Sequence, residues 1–161
     1  MDQIPVTAIQ AIQAILAPAV GISAVGLLLL GLSNRYSAII NRIRLLNDEK
    51  RKLTKQLGEE RDLNYTDNAR FMNIRKQTEE LLVRSRIVRN AILAMQSAIA
   101  LFVLSSVSIG LSLVSGVVFA GVLPLVLFLT GMIGVFVGIV FAAFDVYRSF
   151  NIVLLEATAE E

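Results

Sequence analysis

The chain lacks histidine, cysteine and tryptophan altogether among its 161 residues. Histidine and cysteine supply most zinc ligands, the thiolates of iron–sulfur clusters, the common haem ligands and two of the common catalytic nucleophiles. The sequence also has no phosphate-binding G-x-x-x-x-G-K-[ST] loop and no G-x-S-x-G nucleophile motif. We therefore predict that the chain is not an enzyme and holds no cofactor, metal ion or catalytic residue.

Charge is absent from two long tracts, Gln3–Asn34 and Asn90–Phe144, in a chain that is 55% hydrophobic. A helix needs about 20 apolar residues to cross the hydrocarbon core of a bilayer. The first tract therefore predicts one transmembrane helix, and the second predicts two that are separated by a turn at Gly116, Gly121 and Pro124. The predicted fold class is an all-α integral membrane protein with spans near residues 14–32, 90–115 and 123–144.

Proline is scarce, and one of the three prolines, Pro18, lies inside the first apolar tract. Because proline removes one backbone donor, we expect a kink at this position. A straight helix from Pro5 to Leu32 would be about 42 Å long, which exceeds the hydrocarbon core. The residues before Ala14 are therefore expected to lie in the membrane interface or to tilt.

Basic residues are confined almost entirely to the middle of the chain. Of the 15 lysines and arginines, every one except Arg148 lies between Arg35 and Arg89. Basic segments that flank transmembrane helices remain in the cytoplasm. This asymmetry predicts a cytoplasmic middle segment, an external N-terminus and a cytoplasmic C-terminus.

Residues 34–90, called the hairpin segment below, carry apolar residues at alternating steps of three and four. That spacing is the seam of a coiled coil. Gly58 is the expected stop of a first helix, and Thr66 or Asp67 the expected cap of a second. We predict an antiparallel helical hairpin that continues the first two spans. Its seam consists of Ile39, Ile43, Leu46, Leu53, Phe71, Ile74, Leu81 and Val88.

A fold-back about Asp62 gives the hairpin a specific register. Polar residues at Lys50, Thr78 and Ser85 dilute the seam, so two helices alone would be poorly stabilised. The expected pairs are Leu53 with Phe71, Lys50 with Ile74, Leu46 with Thr78, and Ile43 with Leu81. Ile40, Leu45, Leu82, Val83 and Ile87 remain off the seam, which favours self-association or a protein partner on the hairpin.

Two sets of small residues mark candidate helix-packing faces. Serines recur at helical spacing in the second span, and glycines form a small-xxx-small pattern in the third. Small residues let helices approach closely, whereas a row of hydroxyls could line a path for water or ions. We favour packing and keep a pore face as the alternative. The residues are Ser97, Ser105, Ser108, Ser112, Ser115, Gly131, Gly134 and Gly138.

Asp145 ends the third apolar tract. Ionisable groups at membrane depth are costly and are often functional. Arg35 and Arg89 end the other two spans at the same level, so we expect Asp145 to pair with one of them. A titrating or ion-binding role is the alternative.

Arginines cluster at the predicted cytoplasmic surface of the membrane, where we expect them to attract anionic lipid headgroups or to form an interfacial ion pair with Asp145. The set consists of Arg35, Arg84, Arg86 and Arg89. Nucleic acid is not an expected partner, because Glu79 and Glu80 interrupt the basic surface.

The string "AILAPAVGISAVGLLLLGLSNRYSAIINRIRLL" resembles the opening of an uncharacterised family of bacterial membrane proteins, domain of unknown function 2721. The shared pattern is a proline-containing first span, "LLLLGL", Asn34 with Arg35, and the Arg42–Arg44 pair before a charged helix. The resemblance covers nearly the whole chain. It implies the fold and a bacterial inner-membrane location, the cytoplasmic membrane or a thylakoid-type membrane, and it implies no activity.

The interpretation that follows is a homo-oligomeric assembly or scaffold protein. A small homo-oligomeric channel or transporter is the first alternative, and an accessory subunit of a larger membrane complex is the second. The expected partners are a bilayer with anionic headgroups, further copies of the chain and a protein on the hairpin. The predicted units are residues 1–33 (interfacial segment and first span), 34–90 (hairpin), 91–145 (second and third spans) and 146–161 (cytoplasmic tail).

Overall fold

In the residues that it describes, a computed structural model of the chain has three helices, α1 over Ala8–Glu59, α2 over Tyr65–Ser115 and α3 over Val122–Thr158. The structure describes the backbone of these helices and the side chains of residues 12–55, 70–112 and 122–147. Each helix is long and apolar enough to cross a membrane. The predicted all-helical class with three span-length helices is therefore confirmed.

The first two helices are much longer than a membrane is thick. α1 has 52 residues and α2 has 51, which gives each a length of about 77 Å at 1.5 Å per residue. The hydrocarbon core of a bilayer is about 30 Å thick. In both helices the apolar tract and the charged tract therefore share one unbroken helix, and α1 continues through Pro18 without ending there.

The helix ends differ by a few residues from the predicted ends. α1 continues past Gly58, the expected stop, by one residue. α2 begins at Tyr65, so Thr66 and Asp67 lie in its first turn instead of capping it. Helix boundaries shift by a residue or two because the terminal turns have few hydrogen bonds to hold them.

Pro124 is inside α3, although the sequence suggested a turn there. The helix begins at Val122 and includes Pro124 in its first turn. Proline fits this position because the first backbone N–H groups of a helix have no acceptor within it. The other predicted turn residues, Gly116 and Gly121, lie outside the described residues.

α2 is the central helix, and it packs against α1 on one side and α3 on the other, whereas α1 and α3 contact each other little. The buried ring of Phe102 in α2 lies between glycines of the flanking helices. A Cβ atom on Gly21 of α1 would lie 3.1 Å from Phe102 Cε2, and one on Gly131 of α3 would lie 2.7 Å from Phe102 Cε1. The ring thus sets the spacing of all three helices at this level.

The glycines of α3 face α2 within the same chain. A Cβ atom on Gly134 would lie 3.2 Å from Ala98 Cβ, and one on Gly138 would lie 2.7 Å from Met95 Cγ. Close contact of helix backbones is what the small-xxx-small pattern provides. These glycines therefore build the α2–α3 interface.

The predicted seam residues differ in burial along the hairpin segment. Five of them are buried: Ile39, Ile43, Leu46, Ile74 and Val88. Leu53, Phe71 and Leu81 are half-buried. Of the polar residues in the register, Ser85 is buried and its hydroxyl donates a hydrogen bond to the Leu82 carbonyl at 2.9 Å.

The contacts of Glu49 and Lys50 with α2 differ from the predicted register. Lys50 Nζ lies 5.3 Å from the ring centroid of Phe71. Phe71 precedes the expected partner, Ile74, by three residues, which is about one helical turn. Arg70 Nη2 contacts Glu49 Oε1 at 2.6 Å. A heptad seam repeats at nearly every turn, so a one-turn slip still buries apolar residues. Charged flanking residues can then select the register.

Replacing Gly131 by alanine should destabilise the fold. The new methyl group would meet the buried Phe102 ring and the Ala98 carbonyl oxygen, 3.3 Å away. Overpacking of this kind costs about 1–3 kcal/mol. The measurement is thermal unfolding in detergent, followed by circular dichroism because the chain has no tryptophan.

Gly110→Ala in α2 is the matched control, since a Cβ atom there meets nothing within 4 Å. Its expected effect is neutral or stabilising by up to about 1 kcal/mol. Equal unfolding temperatures for the two variants would contradict the described packing of Phe102.

Candidate functional site

A buried carboxylate lies close to the level at which the uncharged tracts of α1 and α3 end. Asp145 is 1% exposed, and it follows directly on the uncharged tract of α3. Arg84 Nε of α2 donates a hydrogen bond to Asp145 Oδ1 at 3.4 Å, and Arg35 Nη1 of α1 lies 3.9 Å from Asp145 Oδ2. We call these three residues the Asp145 cluster, and each helix contributes one of them.

The arginines of the cluster differ in their access to solvent. The side chain of Arg84 is 26% exposed, whereas that of Arg35 is 54% exposed. A buried carboxylate is tolerated only when it is paired. Because Arg84 is nearer and more buried, it supplies most of this pairing. Two cations and one anion leave an excess positive charge, which is located mainly at the exposed Arg35.

The expected pairing of Asp145 with Arg35 is present at 3.9 Å, and Arg84, which the sequence suggested only as one of four arginines for headgroups or an interfacial ion pair, is a second and nearer partner. Arg89, which the sequence suggested as an alternative partner, is exposed. A signal was present: Arg84 lies seven residues before Ala91 and fourteen before Ala98. Seven residues make nearly two helical turns, so Arg84 shares the face of α2 that packs on α3.

The serines of the predicted row differ in burial and in hydrogen-bond partner. Ser105 is buried, and its hydroxyl donates a hydrogen bond to the Pro124 carbonyl of α3 at 2.8 Å. Ser97 is exposed, and its hydroxyl donates to the Ala94 carbonyl of its own helix. Ser108 and Ser112 are half-buried, and the side chain of Ser115 lies outside the described residues.

The residues off the predicted seam fall into two groups. Ile40 packs against the buried core, and Ile87 is half-buried. Leu45, Leu82 and Val83 are exposed. Of the remaining predicted headgroup residues, Arg86 is exposed, like Arg89.

An apolar cleft runs between α1 and α3 next to the Asp145 cluster. The part nearer Asp145 has a volume of about 390 Å³ and ends at Arg35. Its walls include Leu28 and Gly31 of α1 and Ile139 and Ala143 of α3. The part farther from Asp145 has a volume of about 360 Å³ and extends from Ile139 towards Gly21, Phe102 and Phe128. The cleft exists because both flanking helices pack on α2 and scarcely on each other.

Within the described residues, no group of three or more carboxylate, thiol or imidazole side chains could hold a metal ion. No side-chain nitrogen or oxygen that is buried among these residues lacks a hydrogen-bond partner. The Asp145 cluster is thus a satisfied ion-pair network, and what it offers to a ligand is the exposed guanidinium of Arg35.

Three span-length apolar helices with an ion-pair cluster at the end of their apolar tracts define an α-helical, membrane-embedded protein. The chain belongs to the family described as "Protein of unknown function (DUF2721)", whose model matches residues 15–154. The resemblance drawn from the sequence is thereby confirmed. Neither a curated protein nor a solved structure matches the chain.

Arg84→Met should destabilise the chain by about 3–5 kcal/mol, because it leaves Asp145 buried with only the distant Arg35 as a partner. Asp145→Asn should cost less, since both arginines can reach solvent once the carboxylate is gone. The double variant Arg84→Met/Asp145→Leu should recover much of the loss. Thermal unfolding in detergent measures all three.

Arg86→Met serves as the control, because this arginine is exposed on the same helix. Its expected effect is within about 0.5 kcal/mol. A loss for Asp145→Asn as large as that for Arg84→Met would show that the carboxylate is not the group that requires pairing.

Proposed function

We propose that this chain is a non-enzymatic assembly protein of the bacterial cytoplasmic membrane that forms homo-oligomers through its hairpin segment. The observation that carries this conclusion is the exposure of large apolar side chains on the hairpin segment, beyond the apolar tracts. Leu45 is 63% exposed and Met72 is 74% exposed. Both residues lie on the charged parts of their helices.

Distance from the Asp145 cluster supports a position of these two residues in water rather than in lipid. Leu45 is ten residues beyond Arg35 on α1, and Met72 is twelve residues beyond Arg84 on α2. At 1.5 Å per residue, these separations are about 15 Å and 18 Å along the helices. Apolar surface in water gains about 25 cal/mol per Å² when a partner covers it, which favours association here.

Local contacts hold the two helices together near these residues. Leu45 lies one turn before Glu49, whose carboxylate pairs with Arg70 at 2.6 Å. Met72 follows Phe71, whose ring contacts Lys50. A docking surface formed from both helices is therefore held in place by their mutual contacts.

The continuous helices give such a contact a mechanical consequence. α1 and α2 run without a break from the apolar tract into the hairpin segment. A helix transmits a tilt or rotation along its length, which a flexible linker does not. Association through the hairpin would therefore fix the relative orientation of the spans in neighbouring copies.

The serine contacts support a packing role over a pore. The Ser105 hydroxyl bonds to the Pro124 carbonyl of α3, and the Ser97 hydroxyl bonds to its own helix. These groups are used within the chain. The concentration of basic residues between Arg35 and Arg89 supports a cytoplasmic hairpin segment, with anionic headgroups at its base.

Native mass spectrometry after mild extraction tests the proposal directly. The expected result is a complex of identical subunits. Leu45→Gln/Met72→Gln should weaken the assembly by at least about tenfold, because two covered apolar side chains contribute roughly 3 kcal/mol together. Arg51→Gln, an exposed change on the same segment, is the control and should leave the mass distribution unchanged.

Other outcomes would assign a different role. A wild-type chain that is monomeric at all concentrations would refute the homo-oligomer. A single copy bound to larger unrelated proteins would make the chain an accessory subunit. A complex of identical chains that conducts ions in liposomes, with conduction abolished by Ser108→Leu, would make it a channel.

A further inference from the structure

We propose that the cleft between α1 and α3 binds one acyl chain of an anionic phospholipid, and that Arg35 binds its phosphate group. This inference is independent of the proposed self-association, which uses the hairpin segment. It joins two observations: an apolar cleft that stays open between two helices, and an exposed cation at its end.

The walls of the cleft have the chemistry of an acyl-chain site. Leu27 is 73% exposed and Ile139 is 45% exposed, and both line the cleft beside Gly31 and Ala143. Small residues at Gly31 and Ala143 keep the cleft open where larger side chains would fill it. A Cβ atom on Gly31 would meet nothing within 4 Å.

The cleft is longer than the hydrocarbon of one bilayer leaflet is thick. It extends along α1 from Gly21 to Arg35, because its two parts share Ile139. Fourteen residues of helix correspond to about 21 Å. One leaflet contributes about 15 Å of hydrocarbon, half of the total thickness of about 30 Å. An acyl chain whose headgroup lies at Arg35 therefore fits within the cleft.

Arg35 is placed to bind a phosphate. Its contact with Asp145 is long, at 3.9 Å, and its side chain is 54% exposed. A guanidinium carries five N–H donors and binds phosphate oxygens in pairs. Asp145 would repel a phosphate if it were unpaired, but Arg84 contacts its other oxygen at 3.4 Å. The net charge next to the phosphate is therefore positive.

Charge complementarity favours a lipid over a second copy of the chain as the occupant. A helix from a neighbouring copy could cover the apolar walls. Such a helix would supply an anion opposite Arg35 only if it placed an acidic residue there. The carboxylate of α3, Asp145, already pairs with arginines of its own chain. An anionic lipid supplies a chain and a charge together.

Lipid titrations followed by native mass spectrometry test this site. The delipidated full-length protein is titrated with phosphatidylglycerol, with phosphatidylcholine and with inorganic phosphate. We expect phosphatidylglycerol to bind about tenfold more tightly than phosphatidylcholine, because a charge-assisted pair of hydrogen bonds favours the net anion. Inorganic phosphate, which lacks an acyl chain, should not displace it.

Two variants separate the headgroup from the acyl chain. Arg35→Gln should remove the preference for phosphatidylglycerol, while Arg44→Gln, an exposed change in the hairpin segment, should retain it. Gly31→Leu should fill the cleft and weaken the binding of both lipids. Gly26→Leu is its control, because a Cβ atom there also meets nothing within 4 Å and this glycine does not line the cleft.

The site would be refuted by unchanged lipid binding in Gly31→Leu, or by equal affinities for the two lipids in the wild type. Displacement of the lipid by inorganic phosphate would indicate a simple anion site instead. Dissociation of the oligomer by Gly31→Leu, with lipid binding intact, would show that another copy covers the cleft. Thermal unfolding of each variant confirms that it is folded, and Ala143→Leu repeats the filling test from the α3 wall.

Discussion

A buried carboxylate constrains the arrangement of all three helices. The buried carboxyl group of Asp145 needs polar partners, and the two arginines that supply them come from the other two helices. The Asp145 cluster therefore fixes the axial positions of the three helices, with Arg35 and Asp145 directly at the ends of their uncharged tracts and Arg84 six residues before its tract begins. Phe102 fixes a second level, since its ring separates Gly21 from Gly131. Arg84 and Phe102 are eighteen residues apart on α2, so the two levels are separated by about 27 Å.

The position of α2 between its neighbours explains both the close packing and the cleft. Its face towards α3 repeats small residues at Ala91, Ala98 and Ser105, and the α3 glycines approach this face. Phe102 interrupts the repeat and reaches both flanking helices. Because α1 and α3 each pack on α2, the space between them is left to exposed apolar residues and to Arg35.

The long tracts without charge made the three helices predictable, since the bilayer allows little else for such sequence. Rotation about the helix axis was harder to infer. Arg84 and Arg89 both lie in the middle of α2, shortly before its uncharged tract, but five residues turn a helix by about 140°, so only one can face α3. Which one does so depends on how α2 packs along its full length. The burial of Ser97 could not be inferred for the same reason. It is eight residues from the buried Ser105, yet its side chain is exposed.

The axial register of α1 and α2 around Lys50 and Phe71 could not be predicted from the sequence pattern either. Apolar residues recur at nearly each turn of the seam, so the pattern fits almost equally well after a shift of one turn. The contacts of Lys50 with Phe71 and of Glu49 with Arg70 involve exposed or half-buried side chains. Each such contact is worth little alone. Such contacts can decide the register where competing alignments bury similar apolar surface.

Arg35 connects the proposed lipid site with the proposed assembly surface. It belongs to the Asp145 cluster, it ends the cleft, and it lies on the same unbroken helix as Leu45. A lipid phosphate bound to Arg35 competes with Asp145 for the guanidinium. Asp145 keeps its nearer partner Arg84 in that case, so α2 and α3 stay joined while the direct link between α1 and α3 weakens. Lipid composition would then alter the position of α1 specifically, and the continuous helix would carry that change to the hairpin segment.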